Sequence, residues 1–200
     1  HERLTSDVAG TNLSLGIELS FSPSRLAFHP DGEHVVVLST RGDVWLWKPG
    51  SSGITELFHH DTFIDPDLGE QLVMGMTVDT KGRLYIASNQ CNKNASPVRN
   101  EMTIFRTEPW SSSKQWSRPA PWFQVQAPFG IGPYNHGLSH LAQGPDGLLS
   151  LNSGARTDSG EPGTQPNYAT TGEDPVTAAI WCLDPEAGHG EIGQIGCLVL

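Results

Sequence analysis

An all-β fold, a β-propeller with about three blades present, is predicted by three observations. A strand–turn–strand unit occurs three times, the composition is rich in turn residues, and no long helix is expected. The 200 residues include 22 Gly and 15 Pro but only 17% charged residues, a balance that suits short strands joined by tight turns. The 36% hydrophobic content is enough to build a core.

The three copies align on their turns. Leu26-Ala-Phe-His-Pro-Asp-Gly32 leads into Val35-Val-Val-Leu38 and then Val44-Trp-Leu-Trp47. Met76-Thr-Val-Asp-Thr-Lys-Gly82 leads into Leu84-Tyr-Ile-Ala87 and, after an insertion from Cys91 to Glu101, into Met102-Thr-Ile-Phe-Arg106. Leu141-Ala-Gln-Gly-Pro-Asp-Gly147 leads into Leu148-Leu-Ser-Leu151 and, after an insertion from Asn152 to Thr177, into Ala179-Ile-Trp-Cys-Leu183. Each copy reads as strand, turn, strand, loop, strand, with Gly32, Gly82 and Gly147 supplying the positive φ that a tight hairpin needs. A β-sandwich also uses hairpins, but it does not require a three-strand unit to repeat with the same punctuation. Three blades leave two open sheet edges, so the chain is expected to be truncated. Residues 1–21 then form a lead-in, 22–185 the partial propeller and 186–200 a truncated or aberrant tail. Closure by two half-propellers in an oligomer is the alternative.

Twelve basic against 22 acidic residues give a net charge of −10, which repels phosphate backbones, and no Lys/Arg cluster reverses this locally. Nucleic acid is therefore excluded as an expected partner. No apolar run is long enough to span a bilayer, and any signal peptide has been removed or lies upstream of His1. A periplasmic or secreted location is expected. Cys91, Cys182 and Cys197 have no C-x-x-C spacing, which argues against a zinc site and allows one disulfide at most.

Function in a propeller sits in the loops of one face, on a rigid frame of strands. Besides the two insertions, the inter-blade stretch from Trp110 to Gly137 is a candidate loop, and it closes on Tyr134-Asn-His-Gly137. His136 stands out there, in a Gly-rich polar turn just before a strand, because imidazole is the side chain suited to proton transfer near neutral pH.

Asn135-His-Gly-Leu-Ser-His-Leu-Ala-Gln-Gly-Pro-Asp-Gly147 followed by Asn152-Ser-Gly-Ala-Arg-Thr-Asp158 resembles the glucose/sorbosone dehydrogenase family. That family carries a His before a Gly-Pro-Asp-Gly turn and then a strand ending in a Gly-Asp type motif. Phe28-His-Pro-Asp-Gly32 and Glu70-Gln-Leu-Val-Met-Gly-Met76 are similar to the family's upstream segments, so the resemblance covers roughly residues 22 to 185. It implies a six-bladed propeller that oxidises a sugar or related alcohol, with pyrroloquinoline quinone as hydride acceptor and a calcium ion polarising the quinone. Carried over, His136 is the general base, and Asn135, Glu70 and Asp158 are the substrate-binding candidates. Asp158 would also serve as the carboxylate that orients His136. The cofactor and calcium ligands are expected beyond residue 200. The pattern departs from the family at Ala155, where an Asp is common, at Asn135, where some members have an acid, and at Gln71 and Gln143.

Other readings follow from the same residues. A calcium-dependent propeller lactonase or hydrolase would need several acidic and amide ligands, to which Glu70 and Asn135 could contribute. A non-catalytic propeller that binds protein partners is the third reading, although no Gly-His…Trp-Asp signature is present. His59-His60-Asp61 suggests a metal cluster, but neighbouring residues of an extended segment point to opposite faces, so a solvated loop is expected and no metal ligand is assigned. Trp45, Trp47 and Trp181 are expected to pack between blades, leaving Trp110, Trp116 and Trp122 as candidates for stacking on a sugar.

Overall fold

The computed structural model describes residues 19–110, 115–130, 136–157, 161–162, 167, 172–188 and, for their backbone, 196–199. Among them, twelve strands form three antiparallel meanders of four strands each. The first sheet contains β1 (Pro23–Phe28), β2 (Val35–Ser39), β3 (Val44–Trp47) and β4 (Ile54–Phe58). The second contains β5 (Gln71–Val78), β6 (Leu84–Asn92), β7 (Arg99–Arg106) and β8 (Ala120–Pro128). The third contains β9 (Leu138–Gln143), β10 (Leu149–Ser153), β11 (Ala179–Leu183) and β12 (Gly196–Val199). These are propeller blades in sequence order. β1 packs against β5 and β5 against β9, so the first strand of each blade is the inner one. The Arg25 guanidinium crosses from the first blade to the Ser139 carbonyl of the third at 3.1 Å.

The hairpins at the turn edge are built as expected. Gly32, Gly82 and Gly147 have φ of 72°, 76° and 85°, and each donates its N–H to a carbonyl three residues back. A Cβ at these angles would meet the following carbonyl, which is why glycine stands there.

Each blade has one strand more than the sequence pattern shows. β8 lies inside the stretch 110–137 that reads as a loop, and β12 lies inside 186–200, where a tail is expected. The outer strand of a blade has weak alternation because it is half solvated: β4 has exposed or half-buried residues throughout. β8 carries Pro121 and Pro128, which a strand tolerates where no neighbour needs the missing N–H.

The middle blade is buried on both faces, and period-2 geometry makes this visible along β6. Leu84 and Ile86 join Val36, Leu38, Val73, Met76 and Phe105 between the first and second blades. Tyr85 and Ala87 point the other way, to Leu141, Leu151, Phe123 and Trp181 between the second and third. The outward faces lack such cover: Phe28 on β1 and Ile180 on β11 are largely exposed.

The tryptophans are assigned differently from the sequence expectation. Trp181 is buried between the second and third blades as expected, but Trp47 is buried beside Val35 and Val37 on the face of the first blade that points away from the second, and Trp116 and Trp122 are core residues. Trp122 sits on β8 under Arg106, 5.0 Å from ring centroid to guanidinium carbon, and Trp116 donates to the Gly82 carbonyl at 2.6 Å. Trp110 and Trp116 together hold the buried His29 ring edge-on, at 4.2 and 4.8 Å between centroids. Trp116 and Trp122 are thereby closed to a sugar, and Trp110 is half-buried with one edge against His29.

His59 and His60 also differ from expectation. His60–Thr62 is a 3-10 turn, not an extended segment, so the two imidazoles stack at 4.4 Å and His60 is buried. Asp43 explains the turn, because its Oδ1 accepts both the His60 backbone N–H (3.0 Å) and the His60 Nδ1 (2.6 Å). Burial pushes the Asp43 carboxyl up, but these bonds and the Ser39 hydroxyl pull it below the usual aspartate value.

Candidate functional site

The site is a cleft of about 280 Å³ at the loop edge of the second and third blades. This is at the small end of ligand pockets. Its lining includes Glu70 and Leu72 from the start of the second blade, Asn89, Cys91 and Asn100 from the β6–β7 hairpin, and Phe129, His136 and Gly137 from the connection into the third. The hairpin supplies the floor because β6 and β7 run on past their apolar core into a polar end, where Asn89 lies opposite Met102 and Gln90-Cys-Asn92 pairs with Arg99-Asn-Glu101.

Glu70 is held in place by close backbone packing. Gly69, at φ 105°, lies so near the hairpin that a Cβ there would fall 2.1 Å from the Cys91 carbonyl oxygen. The buried Gln90 amide donates to the Asp65 and Gly69 carbonyls at 2.6 and 3.0 Å, and the Cys91 N–H donates to the Glu70 carbonyl at 3.2 Å. The Glu70 carboxylate itself is exposed and has no hydrogen bond among the described residues. The Cys91 thiol is raised above its usual value, mainly by burial and further by the Glu70 charge, with Lys93 opposing, so it stays protonated at neutral pH.

His136 is seated on the glycine motif that follows β10. Its N–H donates to the Ala155 carbonyl at 3.3 Å, and the Gly154 N–H donates to the Gly137 carbonyl at 2.8 Å. A Cβ on Gly154 would lie 2.3 Å from the His136 Cβ, so only glycine lets the histidine lie across this strand end. Ala155 therefore touches His136 through its backbone, not through a carboxylate as the family's aspartate position suggests. The imidazole is exposed and makes no hydrogen bond among the described residues.

Asn89 ties the two halves of the cleft together. Its Oδ1 accepts the Leu138 N–H at 2.6 Å, while its amide donates to the carbonyls of Leu138 (2.8 Å) and Leu72 (3.2 Å). Leu138 is two residues beyond His136 and Leu72 two beyond Glu70, so one buried side chain sets the separation of both. The same amide crowds Gly137, where a Cβ would sit 2.0 Å from the Asn89 Oδ1.

Behind the cleft, the fully buried Arg156 reaches the carbonyls of Gly172 and Phe129, which anchors the second insertion to the end of β8. Glu173 closes that insertion by accepting the N–H groups of Arg156 and Thr157 and the hydroxyls of Thr157 and Thr177. Burial raises its carboxyl, but these four donors outweigh it and bring the pKa down to about 2.

Of the expected site residues, the structure brings Glu70 and His136 into one cleft, whereas Asn135 and Asp158 lie outside the described residues. Asn89, Asn100 and Phe129 were not anticipated. The available signal was the polar run Asn89 to Asn92 continuing a strand whose first residues are apolar on both faces. Among the described residues, two His/Asp groups are compact enough to hold a metal ion, His29–Asp31–His34 and Asp43–His59–His60. Both belong to the first blade and neither lines the cleft.

No family model matches the chain, and no curated protein is similar to it. Solved structures are. The PQQ-bound aldose sugar dehydrogenase of Streptomyces coelicolor superposes with a TM-score of 0.58 at 20% identity, over 86% of this chain and 47% of that one. The soluble aldose sugar dehydrogenase of Escherichia coli, in its apo form, gives a TM-score of 0.52 at 14% identity, over 85% of this chain and 58% of that one. The chain thus has their fold and spans about half their length.

Proposed function

We propose that this chain is part of a quinone-dependent dehydrogenase of sugars or related alcohols, with His136 as the general base that accepts the proton of the reacting hydroxyl. The observation that carries the reading is the convergence of His136 and Glu70, from two blades, on one cleft within the fold of soluble aldose dehydrogenases. The exposed imidazole has a free nitrogen for a hydroxyl proton, and Glu70 is an acceptor for a second hydroxyl of the same substrate. Holding the alcohol between them orients its carbinol carbon, and positioning of this kind supplies much of the rate. Asn135 and Asp158 remain proposed substrate contacts.

Pyrroloquinoline quinone, which the Streptomyces neighbour binds, would supply the hydride acceptor. The cleft side chains fit the alcohol and not that cofactor: no Lys or Arg lines it among the described residues, and a tricarboxylate quinone needs cationic partners. Calcium fits no better, since it takes six to eight oxygen ligands and the cleft offers one carboxylate. The first-blade His/Asp groups are rich in nitrogen and equally unsuited to it. The same count disfavours a calcium-dependent lactonase. No step is routed through either group. A periplasmic or secreted setting belongs to this proposal; no helix among the described residues is long and apolar enough to cross a membrane.

Dye-linked oxidation of a panel of aldoses, by the protein supplied with pyrroloquinoline quinone and calcium, tests the reading. Neither dye reduction nor quinone binding in the wild type would sink it. Equal activity in wild type and His136→Ala would remove His136 from the base role.

A further inference from the structure

We propose that Asn100 is a ligand-contacting residue of the cleft, whose carboxamide oxygen accepts a hydrogen bond from a hydroxyl of a neutral polyol. This deepens the reading above and rests on it. Asn89 and Asn100 are neighbours on one face of the same hairpin, since Asn89 and Cys91 share a face of β6 and Cys91 is the ladder partner of Asn100 on β7. They are used in opposite ways. Asn89 spends its oxygen and its amide on backbone groups of Leu138 and Leu72. Asn100 is 2% exposed and lines the cleft, yet its Oδ1 meets no donor.

A buried carbonyl oxygen without a donor destabilises the fold, and native proteins keep few of them. The strand has no use for this one, because the backbone of Asn100 pairs with Cys91 on one side and Ala127 on the other whatever the side chain is. An apolar residue of the same size would serve the ladder better. No side chain lining the cleft meets this oxygen: Glu70 is an acceptor, Gly137 has no side chain, the Asn89 and Gln71 amides are spent on backbone carbonyls, and the His136 ring makes no hydrogen bond among the described residues. The partner must therefore bring its own, and because the oxygen has no open surface in the free protein, the carboxamide turns toward the cleft to meet it. Anionic ligands bring acceptors and meet the Glu70 charge, whereas a polyol brings several donors, and Glu70, Asn100 and His136 together form an acceptor-rich lining that matches it.

The test is a thermal-shift series with hexoses, pentoses and single-deoxy aldoses on wild type, Asn100→Leu and Asn100→Asp. Without ligand, Asn100→Leu is expected to keep or raise the melting temperature by about 2–4 °C, because an unsatisfied polar group is removed. Wild type should bind at least one aldose about tenfold more tightly than one of its deoxy analogues. Asn100→Leu should erase that difference, while Asn100→Asp, still an acceptor, should retain it. A loss of several degrees in both unliganded variants would overturn the proposal, as would discrimination unchanged by Asn100→Leu or no stabilisation of the wild type by any polyol. Asn100-dependent binding of an aldose with neither dye reduction nor quinone binding supports the contact and sinks only the redox reading.

Discussion

The two edges of the second and third blades treat polar groups in opposite ways. At the turn edge the buried charges are paired: Asp79, with no exposed side-chain surface, receives the Arg83 guanidinium at 2.6 Å and the Tyr85 hydroxyl at 3.1 Å. Arg83 goes on to the Pro185 carbonyl and to Glu186, Lys81 closes on Glu186, and Gln143 accepts the Thr80 N–H. This network joins the second blade to the third. Burial first, and the Asp79 charge next, push the Tyr85 hydroxyl far above its usual value, so it stays a donor. At the loop edge the Glu70 carboxylate, the His136 ring and the Asn100 oxygen have no partner among the described residues. Saturated networks hold architecture, and unsaturated groups gathered in a cleft are what a ligand completes.

The contrast can be broken by single substitutions, and the largest effect is expected at the loop edge. His136→Ala should lower kcat/KM by about 10²–10⁴-fold, the usual worth of a general base, with the urea midpoint unchanged. Arg83→Ala should do the reverse. Leaving Asp79 buried without its cation costs about 3–5 kcal/mol, read as a lower urea midpoint, while turnover per folded molecule stays at the wild-type level. If Arg83→Ala were neutral for stability, the turn edge would not be the clamp described.

Smaller effects sharpen the division. Gly154→Ala would place a methyl 2.3 Å from the His136 Cβ and must displace that residue. Misplacement on the order of 1 Å costs about 10²-fold in turnover, so kcat should fall by up to that factor with little change in melting temperature. The smallest effect concerns acid. Glu173 has a folded pKa of about 2 against an ordinary 4.5, so its contribution to stability is complete above pH 4.5 and is lost as pH falls toward 2. Glu173→Gln should flatten that limb of a stability–pH curve measured by chemical denaturation.

Legibility in the sequence followed the same division. The inner three strands of each blade could be read because their apolar runs are bounded by Gly32, Gly82 and Gly147, and the structure has them. The fourth strands could not, since a half-solvated edge strand such as β4 has little pattern to read. The stacking of His59 on His60 escaped because the 3-10 turn beneath them is made by Asp43, which is distant in sequence. Trp122 and Trp116 seemed available to a ligand only because the strands and turns that bury them were not visible. Within the site, His136 stood out from its polar glycine turn and Glu70 from the family-like segment, but Asn89 and Asn100 did not.

By itself the sequence determined the blades, because hairpin turns and period-2 burial are local consequences of residue type and spacing. It also determined that an imidazole would lie at the mouth of a glycine-bounded strand. Tertiary structure alone decided which polar side chains are spent and which are left over. Asn89 and Asn100 have the same chemistry and share a hairpin face, and they differ only in whether a neighbouring blade brings backbone groups within hydrogen-bond reach. That depends on how two sheets pack, and packing is a property of the assembled fold, not of any one strand.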